Sequence, residues 1–194
     1  MVVKYLLAFL LLFSSFVVSA GSTIKVLDSD DQQVYLFTGD IVSGDTQEFN
    51  RVILDTMDFN RPRFLILNSN GGEVVEATGF GERIRGLGFD TIITPTTKCN
   101  SACGFLFLAG NTCYVYGDAH LGVHSPGSPN VKNIEDKFVF ASAALYVYFV
   151  EKMGRSQVFP FATLTTPNES PRYLTNSELK ELGCKFKKEG LTSG

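Results

Sequence analysis

Ser101 and His124 are the residues of this chain whose types and order could support nucleophilic chemistry. A serine hydroxyl is a weak nucleophile until a base takes its proton, and histidine is the usual base near neutral pH. Ser101 stands at the expected start of a helix, and His124 ends an expected strand. The pair points to acyl transfer, although a lone serine at a helix start is more often a helix cap.

Two backbone positions could complete such a site. The tetrahedral intermediate of acyl transfer needs fixed hydrogen-bond donors, which the N–H groups of Gly71 and Ala102 could supply. Both residues lie where a strand gives way to a helix, and helix starts favour negative charge. Because a Gly-Gly pair alone usually marks only a turn, the combination of the four residues carries the argument.

The elements that must position these residues alternate between short strands and helices. Capping boxes are predicted at Asp45 with Glu48 and at Thr175 with Glu178. Strands alternating with helices predict an α/β fold with a largely parallel sheet. The expected strands cover residues 23–27, 33–41, 64–67, 90–94, 113–116 and 119–124, and the main expected helices begin at residues 45, 74, 102 and 133, the last ending at 153.

Three segments of the sequence resemble the proteolytic subunit of Clp protease, and more closely its exported and membrane-associated relatives. They are Asn68-Ser69-Asn70-Gly71-Gly72, Ser101-Ala102-Cys103-Gly104 and Gly122-Val123-His124. The resemblance implies a Clp/crotonase-type fold of stacked ββα units with a C-terminal helical segment, over residues 21–194. It also implies a peptide or protein substrate, no cofactor and no metal.

Site roles follow from the resemblance residue by residue. Ser101 would be the nucleophile and His124 the general base, with Gly71 and Ala102 as the oxyanion donors. The family's third catalytic member is an aspartate at the place where Pro171 stands here, and Asn168 is the predicted substitute, with Glu169 the other nearby polar residue. An asparagine can orient an imidazole but cannot stabilise imidazolium as a carboxylate does.

Two other functions stay open at this stage. The first is a catalytically inactive binding module that keeps the Clp-type cleft without the acid. The second is a crotonase-like acyl-thioester enzyme, which is disfavoured because an exported protein would rarely meet coenzyme A. Reactivity of Ser101 toward a fluorophosphonate probe separates the hydrolase from the binding module.

Composition narrows the class of protein. The 194 residues suit one domain, and 17 basic against 20 acidic residues give a net charge of −3. Without a concentrated basic patch, a nucleic-acid partner is not expected. The aromatic-rich segment 138–149 is expected to pack in the core or a subunit interface. The protein is also expected to form a homo-oligomer.

The first twenty residues have the pattern of a secretory signal peptide. Lys4 supplies the positive charge, residues 5–18 are apolar or small, and Val18-Ser19-Ala20 offers a cleavage site before Gly21. The sequence thus predicts a secreted or periplasmic protein. The alternative is an uncleaved segment that anchors the chain in a membrane, the only case in which membrane contact is expected.

Export permits disulfides among the 4 cysteines. At least one is predicted, with Cys99 or Cys103 as a partner, and all three pairings stay open. Cys99 and Cys103 together with His120 and His124 also approach a zinc-finger spacing. On an extended strand, however, the two histidines would lie about 13 Å apart, too far for one tetrahedral ion.

Lys98, three residues before Ser101, is another possible base. A lysine acts as a base only when burial or neighbouring charge removes its proton. Nothing in the sequence buries Lys98, and we expect it to be solvated.

Overall fold

The computed structural model describes residues 21–27, 31–125 and 141–188. The predicted signal peptide, residues 1–20, lies outside the described residues. So does the first part of the helix expected from residue 133 to residue 153.

A six-stranded sheet forms the centre of the described fold, with strand order β1-β2-β3-β4-β6-β9. β1 runs antiparallel to β2, and every other neighbouring pair is parallel. The prediction of a largely parallel sheet is confirmed. The strands are β1 (Thr23–Val26), β2 (Gln33–Thr38), β3 (Arg63–Asn68), β4 (Asp90–Ile93), β6 (Cys113–Tyr116) and β9 (Lys185–Lys187).

A second, three-stranded sheet stands beside the first and has the order β5-β7-β8. β5 is Cys99–Asn100, β7 is Leu121–Val123 and β8 is Arg172–Tyr173. β5 and β7 are parallel, whereas β7 and β8 are antiparallel. β8 and β9 were not predicted, because each is too short to show an alternating pattern in the sequence.

Helices connect and cover the strands. One of them, α5, was not predicted because it contains Pro160, but this proline lies in the first turn, where a missing N–H costs no helical hydrogen bond. The helices are α1 (Asp45–Thr56), α2 (Val74–Gly86), α3 (Cys103–Ala109), the π-helical α4 (Val147–Lys152), which continues helical residues 141–146, α5 (Val158–Thr165) and α6 (Asn176–Glu181).

α3 is the central helix of the core, since all of its residues are buried. Phe105 on α3 packs against Phe149 of α4, with ring centroids 4.8 Å apart, and Phe149 packs against Phe159 of α5 at 4.5 Å. Gly104 lets Phe159 approach, because a Cβ at that position would lie 2.4 Å from the phenylalanine ring. The helix that carries Ser101 at its start is thus held on several sides by large apolar side chains.

The two predicted capping boxes have different outcomes. The box at Asp45 and Glu48 was wrong, because Gly44 is the N-cap and Asp45 instead accepts a hydrogen bond from the Val42 N–H at 2.9 Å. The box at Thr175 and Glu178 is confirmed, with both of its reciprocal hydrogen bonds present.

Two disulfides join the four cysteines. Cys99 pairs with Cys103, which confirms the predicted bridge, and Cys113 pairs with Cys184. Because the first bridge uses both sulfurs of the zinc-like constellation, that alternative was wrong. In the three described ranges, none of the helices combines the length and apolar character that a membrane span requires.

Candidate active site

The small sheet brings Ser101 and His124 to neighbouring positions. In its parallel pair, Asn100 of β5 is opposite Gly122 of β7. Ser101 directly follows β5, and His124 directly follows β7. Since the carboxyl ends of parallel strands share one edge of a sheet, the two side chains are placed at the same edge.

Ser101 has an unusual backbone conformation. Its φ is 54°, and among the described residues it is the one non-glycine residue with a positive φ. This left-handed conformation costs an L-residue roughly 1–2 kcal/mol. Two hydrogen bonds hold it, from the Ser101 N–H to the Gly122 carbonyl at 2.8 Å and from the Gly104 N–H to the Ser101 carbonyl at 2.9 Å. Backbone strain of this kind clusters at functional sites.

Ser101 and His124 line one cavity, of about 200 Å³. Its other walls are mainly apolar and come from α2, α3, β7, α5 and helical residues 141–146, and they include Phe105, Val123 and Leu145. The cavity can therefore hold an apolar group beside Ser101.

A backbone carbonyl orients the His124 ring. The Nδ1 atom lies 2.9 Å from the carbonyl oxygen of Ser125. A proton on Nδ1 donated to that oxygen leaves Nε2 free to accept a proton. Ser125 is itself held, because its N–H donates to the Thr166 carbonyl at 2.7 Å. Sequence reasoning missed Ser125, since a residue that acts through its backbone leaves no side-chain signal.

Asn168 lies exposed, beyond the end of α5. Within the described residues no hydrogen bond joins it to His124, and its orienting role stays a prediction. The neighbouring Pro171 and Arg172 do approach the histidine, because they line with it a second cavity of about 290 Å³. The segment predicted to carry the third catalytic member is thus beside His124, and among the described residues the hydrogen-bond partner of the ring is Ser125 rather than Asn168.

Gly71 packs directly against residues 100–102, the turn that carries Ser101. It has φ 104°, and a Cβ there would lie 2.8 Å from the Ser101 Cβ and 2.9 Å from the Ala102 nitrogen. Its N–H donates to the Ser69 hydroxyl at 3.0 Å, so an oxyanion would have to displace that bond. In the described part of the chain, the N–H groups of Ala102 and Gly72 have no acceptor.

Lys98 is exposed, as predicted. Its backbone N–H, rather than its ammonium group, makes the local contact, donating to the Asn68 side chain at 3.0 Å. Among the described residues there is also no group of histidine, cysteine and acidic side chains arranged to hold a metal ion.

The fold is that of Clp-type serine proteases. No family model and no curated protein matches the chain. Among solved structures, it is similar to a serine-to-alanine mutant of the 1510-N membrane-bound stomatin-specific protease, with TM-score 0.61 and 19% identity over 81% of this chain and 80% of that one. A lysine-to-alanine mutant of that protease in complex with a substrate peptide matches with TM-score 0.59 and 20% identity, over 81% and 76%.

Proposed function

We propose that this protein is an exported serine hydrolase that cleaves peptide bonds by acyl transfer, with Ser101 as nucleophile and His124 as general base. One observation carries the proposal: the two residues follow paired parallel strands and line the same cavity. The similarity in fold to a protease, one of whose structures holds a substrate peptide, supports a peptide as the substrate.

The chemistry follows from the groups present. The Ser101 Oγ attacks the carbonyl carbon of the substrate while its proton passes to Nε2 of His124. The Nδ1 proton, donated to the Ser125 carbonyl, keeps the ring in the required tautomer. The histidine then protonates the leaving amine, and a water molecule hydrolyses the acyl-enzyme by the reverse sequence.

The N–H of Ala102 is the first oxyanion donor. The second comes from the Gly71-Gly72 turn, either from Gly71 after release of Ser69 or from the Gly72 N–H, which has no acceptor among the described residues. Backbone donors already fixed in space need no reorganisation when charge develops on the oxygen. The apolar cavity strengthens these bonds by excluding water.

A non-catalytic binding module is the second candidate function. It is favoured by Pro171 at the place of the family's aspartate and by the exposed position of Asn168. Without a carboxylate partner, the imidazolium that forms during attack is less stabilised. Such a protein would bind the same apolar group without turning it over.

Export and self-association belong to the same proposal. Two disulfides fit an oxidising compartment such as the periplasm or the extracellular space. The mature chain would begin at Gly21, which intact-mass analysis of the exported protein tests directly. Residues 1–20 retained in a membrane fraction would favour the anchored alternative.

The experiment is labelling with a fluorophosphonate probe, together with turnover of a fluorogenic peptide library. We expect Ser101 to be the labelled residue, and we expect Ser101→Ala and His124→Ala to lose labelling and turnover while circular dichroism shows an intact fold. Asn168→Ala should keep activity within about twofold, because the Ser125 carbonyl already orients the ring. Asn168→Asp tests whether a carboxylate at this position can replace the aspartate that the family has as its third catalytic residue.

Two results would reject the hydrolase. Turnover that survives Ser101→Ala unchanged would contradict the mechanism. An assembled wild-type protein with neither labelling nor turnover, but with measurable peptide binding, would establish the binding module instead.

A further inference from the structure

The Cys99–Cys103 disulfide encloses the nucleophile. Cys99 is the first residue of β5, Cys103 is the first residue of α3, and Ser101 stands midway between them. The bridge fixes the two ends of this turn at a Cα–Cα distance of 5.2 Å. Both cysteines are almost completely buried, at 1% and 0% exposed.

A bridge of this length restricts the unfolded chain only slightly. Its cysteines lie 4 positions apart in the sequence, whereas Cys113 and Cys184 lie 71 positions apart. In the chain-entropy model the stabilisation from a disulfide grows with the size of the loop that it closes. The longer bridge is therefore the main contributor to global stability, and the effect of the shorter one is local.

The Cys99–Cys103 bridge constrains Ser101, the residue with the strained backbone conformation. Ser101 at φ 54° has a conformation that persists only where the surroundings impose it. The hydrogen bonds to Gly122 and from Gly104 act on its backbone, and the disulfide closes the turn around it. Without the bridge, the turn could relax toward an ordinary conformation and change the direction of the Ser101 hydroxyl within the cavity that it shares with His124.

We propose that the Cys99–Cys103 disulfide is a positioning element for the nucleophile, which holds Ser101 in its left-handed conformation and thereby acts on the chemical step. The inference rests on the proposed hydrolase function. Because both sulfurs are buried, the bridge is a fixed brace, and no redox step is involved. Substrate binding should depend on the bridge less than the chemical step does, since of the cavity-lining residues only Ser101 and Ala102 lie between the two cysteines.

The test compares the two disulfides of the same protein. Cys99→Ala/Cys103→Ala and Cys113→Ala/Cys184→Ala are exported, purified and compared with wild type for kcat, KM, Tm and rate of fluorophosphonate labelling. For the first variant we expect kcat and the labelling rate to fall by about tenfold or more, with KM within about twofold. For the second we expect the larger loss in Tm, with kcat unchanged at temperatures where it is folded.

The outcomes separate the two proposals. A wild-type protein without labelling or turnover overturns the hydrolase, and the positioning role falls with it. A labelled wild type with an equally reactive Cys99→Ala/Cys103→Ala variant overturns the positioning role alone, as does a kcat loss that merely follows Tm in both variants. If the alanine pair does not fold, Cys99→Ser/Cys103→Ser, which nearly keeps the side-chain volumes, is measured in its place.

Discussion

The backbone N–H of Ser101 donates to the carbonyl oxygen of Gly122 at 2.8 Å. This bond extends the pairing of β5 with β7 by one residue, up to the nucleophile itself. His124 is two residues beyond Gly122 on the same segment. Main-chain pairing therefore contributes to the relative placement of nucleophile and base, and a substitution of either of these two side chains would leave that pairing in place.

Replacing Ser101 separates its chemical role from its conformational cost. Because φ is 54° there, Ser101→Gly should be more stable than Ser101→Ala by about 1 kcal/mol, since glycine adopts this conformation without a Cβ penalty. Both variants should lack hydrolytic activity. Urea denaturation of the two variants measures the difference, and equal midpoints would show that the left-handed conformation carries no cost.

Gly71 provides a second test of the same turn. Gly71 has a φ of 104°, and a Cβ at this position would lie within 3 Å of Ser101 and Ala102. Gly71→Ala should therefore lower the free energy of unfolding by about 3 kcal/mol and abolish activity. Gly79 in α2 is the matched control, because a Cβ there has nothing within 4 Å. Gly79→Ala should raise stability by about 0.5–1 kcal/mol and keep activity.

Thermal denaturation and peptide turnover of the two glycine variants suffice for this comparison. Full activity in Gly71→Ala would mean that the turn can move away from Ser101. Such a result would contradict the proposal that the Gly71-Gly72 turn supplies an oxyanion donor.

Much of the central fold was predictable because it obeys local rules. β3 contains a continuous apolar run at residues 64–67, and α2 shows helical spacing between Ala77, Phe80 and Ile84. Thr175 and Glu178 carry the whole capping box within four residues. Asp45 and Glu48 have the same spacing, but tertiary contacts overrode it, because Gly44 and the burial of Asp45 set the helix start.

The site was predictable in its residue types but not in its contacts. The order of Ser101 and His124 in the sequence indicated a reactive pair, and the parallel pairing of β5 with β7 was invisible because β5 has only two residues. The contact between His124 and the Ser125 carbonyl depends on the path of the backbone after β7. No pattern of side-chain types encodes that path.

Arg155 binds two helix ends at once. Its guanidinium donates to the carbonyls of Leu108 at 2.8 Å, Gly110 at 2.6 Å and Leu182 at 3.2 Å. Burial, with a smaller effect from Arg85, lowers the pKa of Arg155 to about 10, which leaves the group charged at neutral pH. A cation at these carbonyls satisfies groups that helices leave unpaired at their C-termini.

Arg155→Ala should lower the free energy of unfolding by about 3 kcal/mol, because three carbonyls lose a charged donor. Arg155→Lys keeps the positive charge but loses the several planar N–H donors of the guanidinium, and it should lower the free energy of unfolding by about half as much. Exposed Arg83 on α2, which donates a single hydrogen bond to the Asn50 side chain of α1, is the control, where alanine should cost less than about 1 kcal/mol. Equal urea midpoints for the Arg155 and Arg83 alanine variants would contradict the role of Arg155.

Glu178 predicts a pH dependence of stability. The hydrogen bond from Arg172, opposed by partial burial and aided by Thr175, lowers the pKa of Glu178 from 4.5 to about 2. A carboxyl whose pKa is lowered by folding stabilises the folded state at every pH above the pKa that the group has in the unfolded chain. That contribution is lost as the pH falls from about 4.5 toward about 2.

Glu178→Gln should therefore be less stable than wild type by about 1 kcal/mol at pH 7, a modest figure because the Arg172 and Glu178 side chains are 41% and 25% exposed. The difference should shrink steadily below about pH 4.5. Urea titrations of both proteins at several pH values measure it. In an Arg172→Met background most of the difference at pH 7 should disappear, and an undiminished difference there would assign the effect to the helix cap.

The Cys113–Cys184 bridge ties β6 to the residue that precedes β9, and these two strands are neighbours in the main sheet. Every peptide bond between those cysteines lies within a covalently closed ring. A single cut in that ring, by an outside protease or by a second copy of the protein, would leave the two fragments joined in one particle of almost unchanged mass. Before reduction the nicked form would differ from the intact form by only one added water, and reduction would release two fragments, so electrophoresis with and without a thiol reagent reports processing that size-exclusion chromatography alone would miss.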